Sequence, residues 1–174
     1  MSSVTIKMAQ TDQDMEAARQ LCREWMDWHW QVFPKDGPVE GNPMNPETFE
    51  GVIEDLPQIH ARPRGGILLG LVDGRPAGCV MYHEAKPDTA EIKRLFVNDA
   101  GRGHRLGRQL LERMFEEMIA DGYQHVIFSS ARFLTHARRL YESVGFVDMP
   151  HPSGFPEHLR DFAYFMRRPL VDHG

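Results

Sequence analysis

The chain has only two cysteines, Cys22 and Cys79, far apart in sequence and without CxxC spacing. That excludes a disulfide framework and a zinc ribbon, and it points to a reducing cytoplasm. No run of about 18 apolar residues occurs anywhere, and the opening Met1 to Lys7 has no apolar stretch behind a basic cap, so neither a membrane span nor a secretory leader is expected. Positive charge is also in deficit. Twenty Lys and Arg stand against 25 Asp and Glu, a formal charge of −5, which argues against a nucleic-acid partner. The G-x-x-x-x-G-K-[ST] phosphate loop and the G-x-G-x-x-G dinucleotide fingerprint are both missing. The nine histidines show no metal-ligand spacing, so no metal is expected, and isolated ones such as His60 and His125 read as surface or core residues.

What remains is a chain of 174 residues with 41% apolar content, expected to form one domain over 1–174 with a core that needs no staples. Val4 to Ala9 reads as a strand. Thr11 or Asp12 then caps a long helix in which Leu21, Trp25, Trp28 and Val32 form a core stripe, with Met26, Trp30 and Phe33 on a neighbouring face. The proline-rich stretch 34–46 is too long for a connector and reads as a substrate-side loop. A second helix is expected from Pro46 to His60. Ile67 to Val72, the Asp73-Gly74 pair and Pro76 to Tyr82 form a β-hairpin, with Ala90 to Val97 as the next strand of an antiparallel meander. A helix with Leu106, Leu110, Met114 and Met118 inward, and Leu111, Phe115 and Ile119 widening the stripe, follows and ends at Asp121-Gly122. Beyond it come a buried strand at Val126 to Phe128, a helix over Leu134 to Val144, a strand opening at Phe146 and a last strand over Phe162 to Met166.

Positive charge, scarce overall, is concentrated between the meander's third strand and the helix after it. Arg102, Arg105 and Arg108 sit among Gly101, Gly103 and Gly107. A helix start has N–H groups without carbonyl partners and a partial positive charge, and glycines let the main chain approach a bulky anion. The turn is therefore an anion site suited to a pyrophosphate, with a solvated basic face as the alternative.

Three pieces in order carry a family resemblance. The strand Glu91 to Val97 leads into Arg102-Gly-His-Arg-Leu-Gly107, similar to an Arg/Gln-x-x-Gly-x-Gly/Ala signature but with Arg105 at the fourth position. The strand at Val126 to Phe128 follows. Ala137 to Phe146 then matches A-x-x-L-Y-x-x-x-G-F, with Leu134 where an asparagine is common. Together they resemble the GNAT superfamily of acetyl-CoA-dependent N-acetyltransferases. The resemblance implies a mixed α/β (α+β) acyl-CoA N-acyltransferase fold, a mostly antiparallel sheet of about six to seven strands flanked by about four helices. It implies a V-shaped opening between the strand ending near Val97 and the strand containing Val126, with acetyl-CoA in it. Backbone groups of Leu95, Phe96 and Val97 would pair with the pantetheine arm, and a backbone N–H near Leu95 or Phe96 would receive the oxyanion. The amides of Gly103, His104, Arg105, Leu106, Gly107 and Arg108, with Arg102, would hold the pyrophosphate.

The resemblance gives Tyr141 the role of acid toward the departing thiolate. On periodicity alone it is a packing residue sharing a helical face with Leu134, Ala137 and Val144. Glu91 is the candidate base, acting through water, with a solvated strand charge as its rival; His83 and Tyr82 are further candidates. Strand alternation puts Glu91 and Lys93 on one side and Ile92 and Arg94 on the other. The expected activity is N-acetyl transfer to an amine of a small molecule or protein. A coenzyme A-binding sensor on the same fold is the alternative, and a homodimer is open if the last strand or the Trp30 face is exposed.

Overall fold

The computed structural model describes residues 1–38 and 45–170. The middle of the expected substrate-side loop, residues 39–44, lies outside the described residues. After strand β1 (Val4–Met8), helix α1 (Asp12–Val32) opens with a capping box. The Thr11 hydroxyl accepts from the Asp14 N–H at 3.0 Å, and the Asp14 carboxylate accepts from the Thr11 N–H at 3.2 Å. The Gln10 N–H, followed by Lys7, holds that carboxyl down to about 2.

The single helix expected over 46–60 is two: α2 (Pro46–Glu54) and the short α3 (Leu56–Ile59). Pro57 causes the break, because it has no N–H for the Ile53 carbonyl. That carbonyl accepts from Arg19 Nε of α1 at 3.2 Å, which ties the two helical segments together. The hairpin is as expected: β2 (Gly66–Val72) and β3 (Arg75–Lys86) are joined through Asp73 (φ 50°) and Gly74 (φ 80°), the pair of positive φ angles a tight hairpin turn needs.

β4 (Thr89–Val97) leads through a 3-10 turn (Asp99–Gly101) into α4 (Leu106–Ala120). Then follow β5 (His125–Ala131), α5 (Thr135–Ser143), β6 (Val147–Met149), a second 3-10 turn (Glu157–Leu159) and β7 (Ala163–Pro169). Phe146 does not open a strand. Its ring turns into the core against Phe115, Phe128 and Tyr141. The sheet order is β1-β2-β3-β4-β5-β7-β6, antiparallel except for β4 beside β5. The last strand is thus interior in the sheet order, flanked by β5 along its length and by the short β6 over Phe165 to Arg167.

The sheet separates two cores. On one side Leu68, Val80, Tyr82 and Ile92 meet Leu106, Leu110, Met114 and Met118 of α4. On the other, Ile67, Leu69, Cys79 and Met81 meet Ala18, Leu21, Cys22, Phe49 and Ile53 of α1 and α2. The α1 stripe is core only in its first half. Leu21 is buried, but Trp25, Trp28 and Val32 line an open cleft, because the helix runs on past the sheet that covers its start. No helix among the described residues is long and apolar enough to cross a membrane.

The 3-10 turn packs so closely that Gly101 has no room for a side chain. A Cβ there would lie 2.5 Å from Val97 Cγ1, 2.9 Å from Leu106 Cδ2 and 3.0 Å from the Ala77 carbonyl. Gly101→Ala is expected to lower stability by about 1–3 kcal/mol through overpacking. The midpoint of denaturant unfolding checks this; an unchanged midpoint would mean that the turn is looser than the packing indicates.

Candidate active site

The cleft begins where the sheet divides. β4 and β5 pair only through Thr89, Ala90 and Glu91 with His125, Val126 and Ile127, and then part. β5 stays in register with β7 along its whole length, so β4 is the strand that turns away. The cause lies in its pairing with β3. Cys79 faces Phe96, yet Met81 faces Lys93, so Val80 stands opposite two residues, Arg94 and Leu95. Such a bulge inserts one residue and bends the strand. Arg94 carries it at φ 57°, a left-handed backbone that few non-glycine residues adopt.

The bulge overturns the expected alternation. Ile92 keeps to the α4 side, but Arg94 falls on the α1 side with Lys93, which puts Leu95 and Val97 back against the α4 core. Apolar residues at 90, 92, 95 and 97 were the signal: a spacing of two, three, two is period-two alternation with one extra residue. Past Glu91, β4 has no partner on its β5 side. The opening has a volume of about 1090 Å³, with Ile92 to Val97 on one wall and Phe128 to Ala131 on the other.

At its outer end stands the glycine-rich turn. The first hydrogen bond of α4 joins Gln109 N–H to the Arg105 carbonyl at 3.1 Å. Among the described residues, the amides of Gly103 to Arg108 donate to no backbone carbonyl. Six consecutive N–H groups without acceptors at a helix start are the arrangement an anion needs. Gly103 (φ 82°) and Arg105 (φ 53°, ψ 34°) are both left-handed. Arg105 therefore adopts the backbone that the signature's glycine would adopt without strain, and adds a cation. Arg102 and Arg108 are held by Asp99 at 3.2 Å and Glu112 at 2.9 Å.

Tyr141 lines the inner part of the cleft and is 5% exposed. Its ring stacks on Phe128, with centroids 3.7 Å apart, and meets Phe146 edge-on at 5.5 Å, so the phenol is held in one orientation. Burial pushes its pKa well up, which keeps it protonated through the neutral range. The residue thus packs in the core and also lines the cleft. Leu134, in the place of the asparagine, precedes α5 without capping it.

Glu91 stands where β4 and β5 are still paired, one residue before the cleft lining starts. Its carboxylate lies 3.4 Å from His83 Nε2 and 3.5 Å from Lys93 Nζ. Burial lowers the His83 pKa, against the pull of Glu91. Tyr82 turns to the opposite core, where its hydroxyl donates to Asp121 at 2.5 Å.

Two histidines matter more than their isolation in sequence suggested. His29 is 4% exposed, lines the cleft amid the rings of Trp25, Trp30, Phe33 and Phe133, and has no partner for either ring nitrogen. Burial lowers its pKa. Its place four residues after Trp25, within an apolar stripe, was the available clue. His60 is buried behind the bulge, with Nδ1 2.9 Å from the Tyr82 carbonyl and Nε2 2.9 Å from Arg94 Nη1. A carbonyl and a guanidinium leave one arrangement open: Nδ1 donates, Nε2 accepts, and the ring is neutral.

The residues around this geometry match a known family. The model of the acetyltransferase (GNAT) family fits residues 22–146. An uncharacterized N-acetyltransferase of Schizosaccharomyces pombe is 30% identical over 150 residues, 83% of each chain. A GNAT-family acetyltransferase structure from Staphylococcus aureus superposes with a TM-score of 0.74 at 15% identity, over 97% of this chain and 100% of that one. The PaiA N-acetyltransferase of Thermoplasma acidophilum, solved with coenzyme A, does so at 0.73 and 16% identity, over 96% and 99%. A bulged, divided sheet with a free-amide turn at its mouth defines an acyl-CoA-type transferase fold. The chain belongs to the GNAT acetyltransferase family, and it is an acetyl-CoA-dependent N-acetyltransferase.

His60 gives the site a pH dependence. Its pKa falls to about 3, through burial first and then through Arg94, His83 and Lys93, against the Tyr82 carbonyl. An unfolded histidine titrates near 6.5, so between those values the unfolded chain binds more protons. The stabilisation is complete above about pH 6.5 and lost as pH falls toward 3, of order a few kcal/mol in all. His60→Gln keeps a donor and an acceptor without the titration. Unfolding measured at pH 7, 5 and 4 is expected to show a flatter decline in this variant; parallel declines would refute the assignment.

Proposed function

We propose that the acetyl group passes directly from the thioester to an amine acceptor held on the α1 side of the cleft, with this chain's residues in five roles. The amine nitrogen bonds to the acetyl carbon, the carbon–sulfur bond breaks, and the sulfur leaves as a thiolate that takes a proton. The amides of Gly103 to Arg108, with Arg102, Arg105 and Arg108, hold the pyrophosphate. The open β5-side edge of Leu95 to Val97 pairs with the pantetheine arm as an added strand. A backbone N–H at Leu95 or Phe96, just past the bulge, receives the oxyanion.

Tyr141 supplies the proton to the thiolate. The observation that carries this reading is the run of amides from Gly103 to Arg108, which donate to no backbone carbonyl among the described residues and follow Arg102 on the wall of a cleft that also holds a buried, protonated phenol. Glu91 takes the amine's proton through water, a reading supported by its place at the paired end of the V, one residue before the cleft lining. A binding-only role would give Tyr141 nothing to do beyond packing on Phe128.

Tyr141→Phe keeps the ring stack and removes the hydroxyl. It is expected to lower kcat by about 100-fold or more, in the range of general acid catalysis, while calorimetric affinity for acetyl-CoA stays close to wild type. Equal loss of both would return Tyr141 to packing alone.

The double variant Arg102→Ala and Arg105→Ala is expected to weaken acetyl-CoA binding roughly tenfold at low salt. The gap should narrow as salt rises, because screening shortens the reach of exposed charge. Unchanged affinity would refute the placement of the pyrophosphate.

A further inference from the structure

The bulge places a guanidinium in the cleft that has no counter-ion among the described residues. Arginines elsewhere in the fold hold a carboxylate: Arg62 has Asp121 at 2.6 Å, Arg64 has Glu84 at 2.6 Å, and Arg138 has Asp148 at 2.8 Å. Arg94 is half-buried, lines the cleft, and among the described residues has no Asp or Glu within ion-pair distance. Its neighbours are the neutral His60 ring and the thiols of Cys22 and Cys79, the latter donating to the Arg94 carbonyl at 3.5 Å. Lys93, beside it, is already held by Glu91.

A guanidinium removed from water without an anion is costly, and the cost falls when a ligand brings one. His60 engages Nη1 alone, with its other nitrogen committed to the Tyr82 carbonyl. The Nε and Nη2 edge has no partner among the described residues. That edge is the fork that binds a carboxylate through two parallel hydrogen bonds. It sits on the residue immediately before Leu95, beside the backbone that receives the acyl carbonyl in the reading above.

We propose that the acceptor carries a carboxylate as well as its amine, free amino acids being the simplest members of the class, and that Arg94, positioned by His60, binds that carboxylate. The inference rests on the proposed placement of the acceptor on the α1 side of the cleft. The carboxylate fixes the acceptor at one end and leaves its amine to approach the thioester. An apolar side group would find Trp25, Trp28 and Phe133 lining the same cleft.

The test uses amines matched in all but the carboxylate: phenylalanine with 2-phenylethylamine, tyrosine with tyramine, leucine with 3-methylbutylamine. Thiol release is followed with wild type and Arg94→Gln, and calorimetry measures binding of each compound to the coenzyme A-saturated enzyme. In wild type, the carboxylate member of a pair is expected to have at least a tenfold higher kcat/KM. Arg94→Gln should raise its KM tenfold or more and bring its kcat/KM down to that of the plain amine. Plain amines equal to or better than their partners would overturn the proposal, and so would a variant that lowers kcat on both members alike. Failure of every carboxylate compound to bind the coenzyme complex would also overturn it while leaving the transferase reading intact. Failure of acetyl-CoA itself to bind would bring down both. The wild-type comparison needs no variant, so it stands even if Arg94→Gln misfolds.

Discussion

One inserted residue governs this site. With Val80 opposite both Arg94 and Leu95, β4 carries an extra residue, and a strand with an extra residue must bend. The bend ends its pairing with β5 after Glu91, opens the cleft and leaves a row of backbone groups facing an empty strand position. The same insertion puts Arg94 on the α1 side and returns Leu95 and Val97 to the α4 core, so the wall of the cleft is anchored at the point where it departs from the sheet. A left-handed non-glycine residue costs of order 1 kcal/mol, which the hydrogen bond from Arg94 to His60 and the packing of Leu95 and Val97 offset.

The second left-handed arginine repeats that logic at the other end. Arg105 adopts the backbone usually left to glycine, so the turn closes in the way the signature requires while carrying a charge that glycine lacks. An acidic protein thus concentrates cationic character where backbone amides already favour an anion. The two requirements are separable: amides fix geometry at short range, and the guanidinium adds attraction that salt can screen.

Much of this could be read from residues alone. The Asp73-Gly74 turn, the apolar face of α4 and the basic glycine turn are local signals, and each element appears where its pattern put it. Signals that depend on a neighbour in space were lost. Pro57 was visible, but that Arg19 would take up the freed Ile53 carbonyl was not. The stripe on α1 looked uniformly apolar, yet only contact with the sheet decides which part is core, and Trp25, Trp28 and Val32 lie beyond it. The Arg94 bulge falls between these cases. Its two-three-two spacing is written in the sequence, and simple alternation hid it.

Division of labour across the sheet follows from where the two cores end. The α4 side is filled without interruption from Leu68 to Met118 and holds the coenzyme turn rigidly against it. The α1 side is filled by Leu21, Cys22 and Phe49; past them the helix presents Trp28 and a buried His29 with no hydrogen-bond partner among the described residues, and β4 adds Arg94 to the opening. Unsatisfied polar groups in such a place are costly to the empty protein, and the cost is relieved by a ligand that hydrogen-bonds to them. A coenzyme common to a whole family has no need of that surface. In the proposed reading the acceptor brings Arg94 its anion, so specificity belongs to the side of the sheet where the fold leaves its core incomplete.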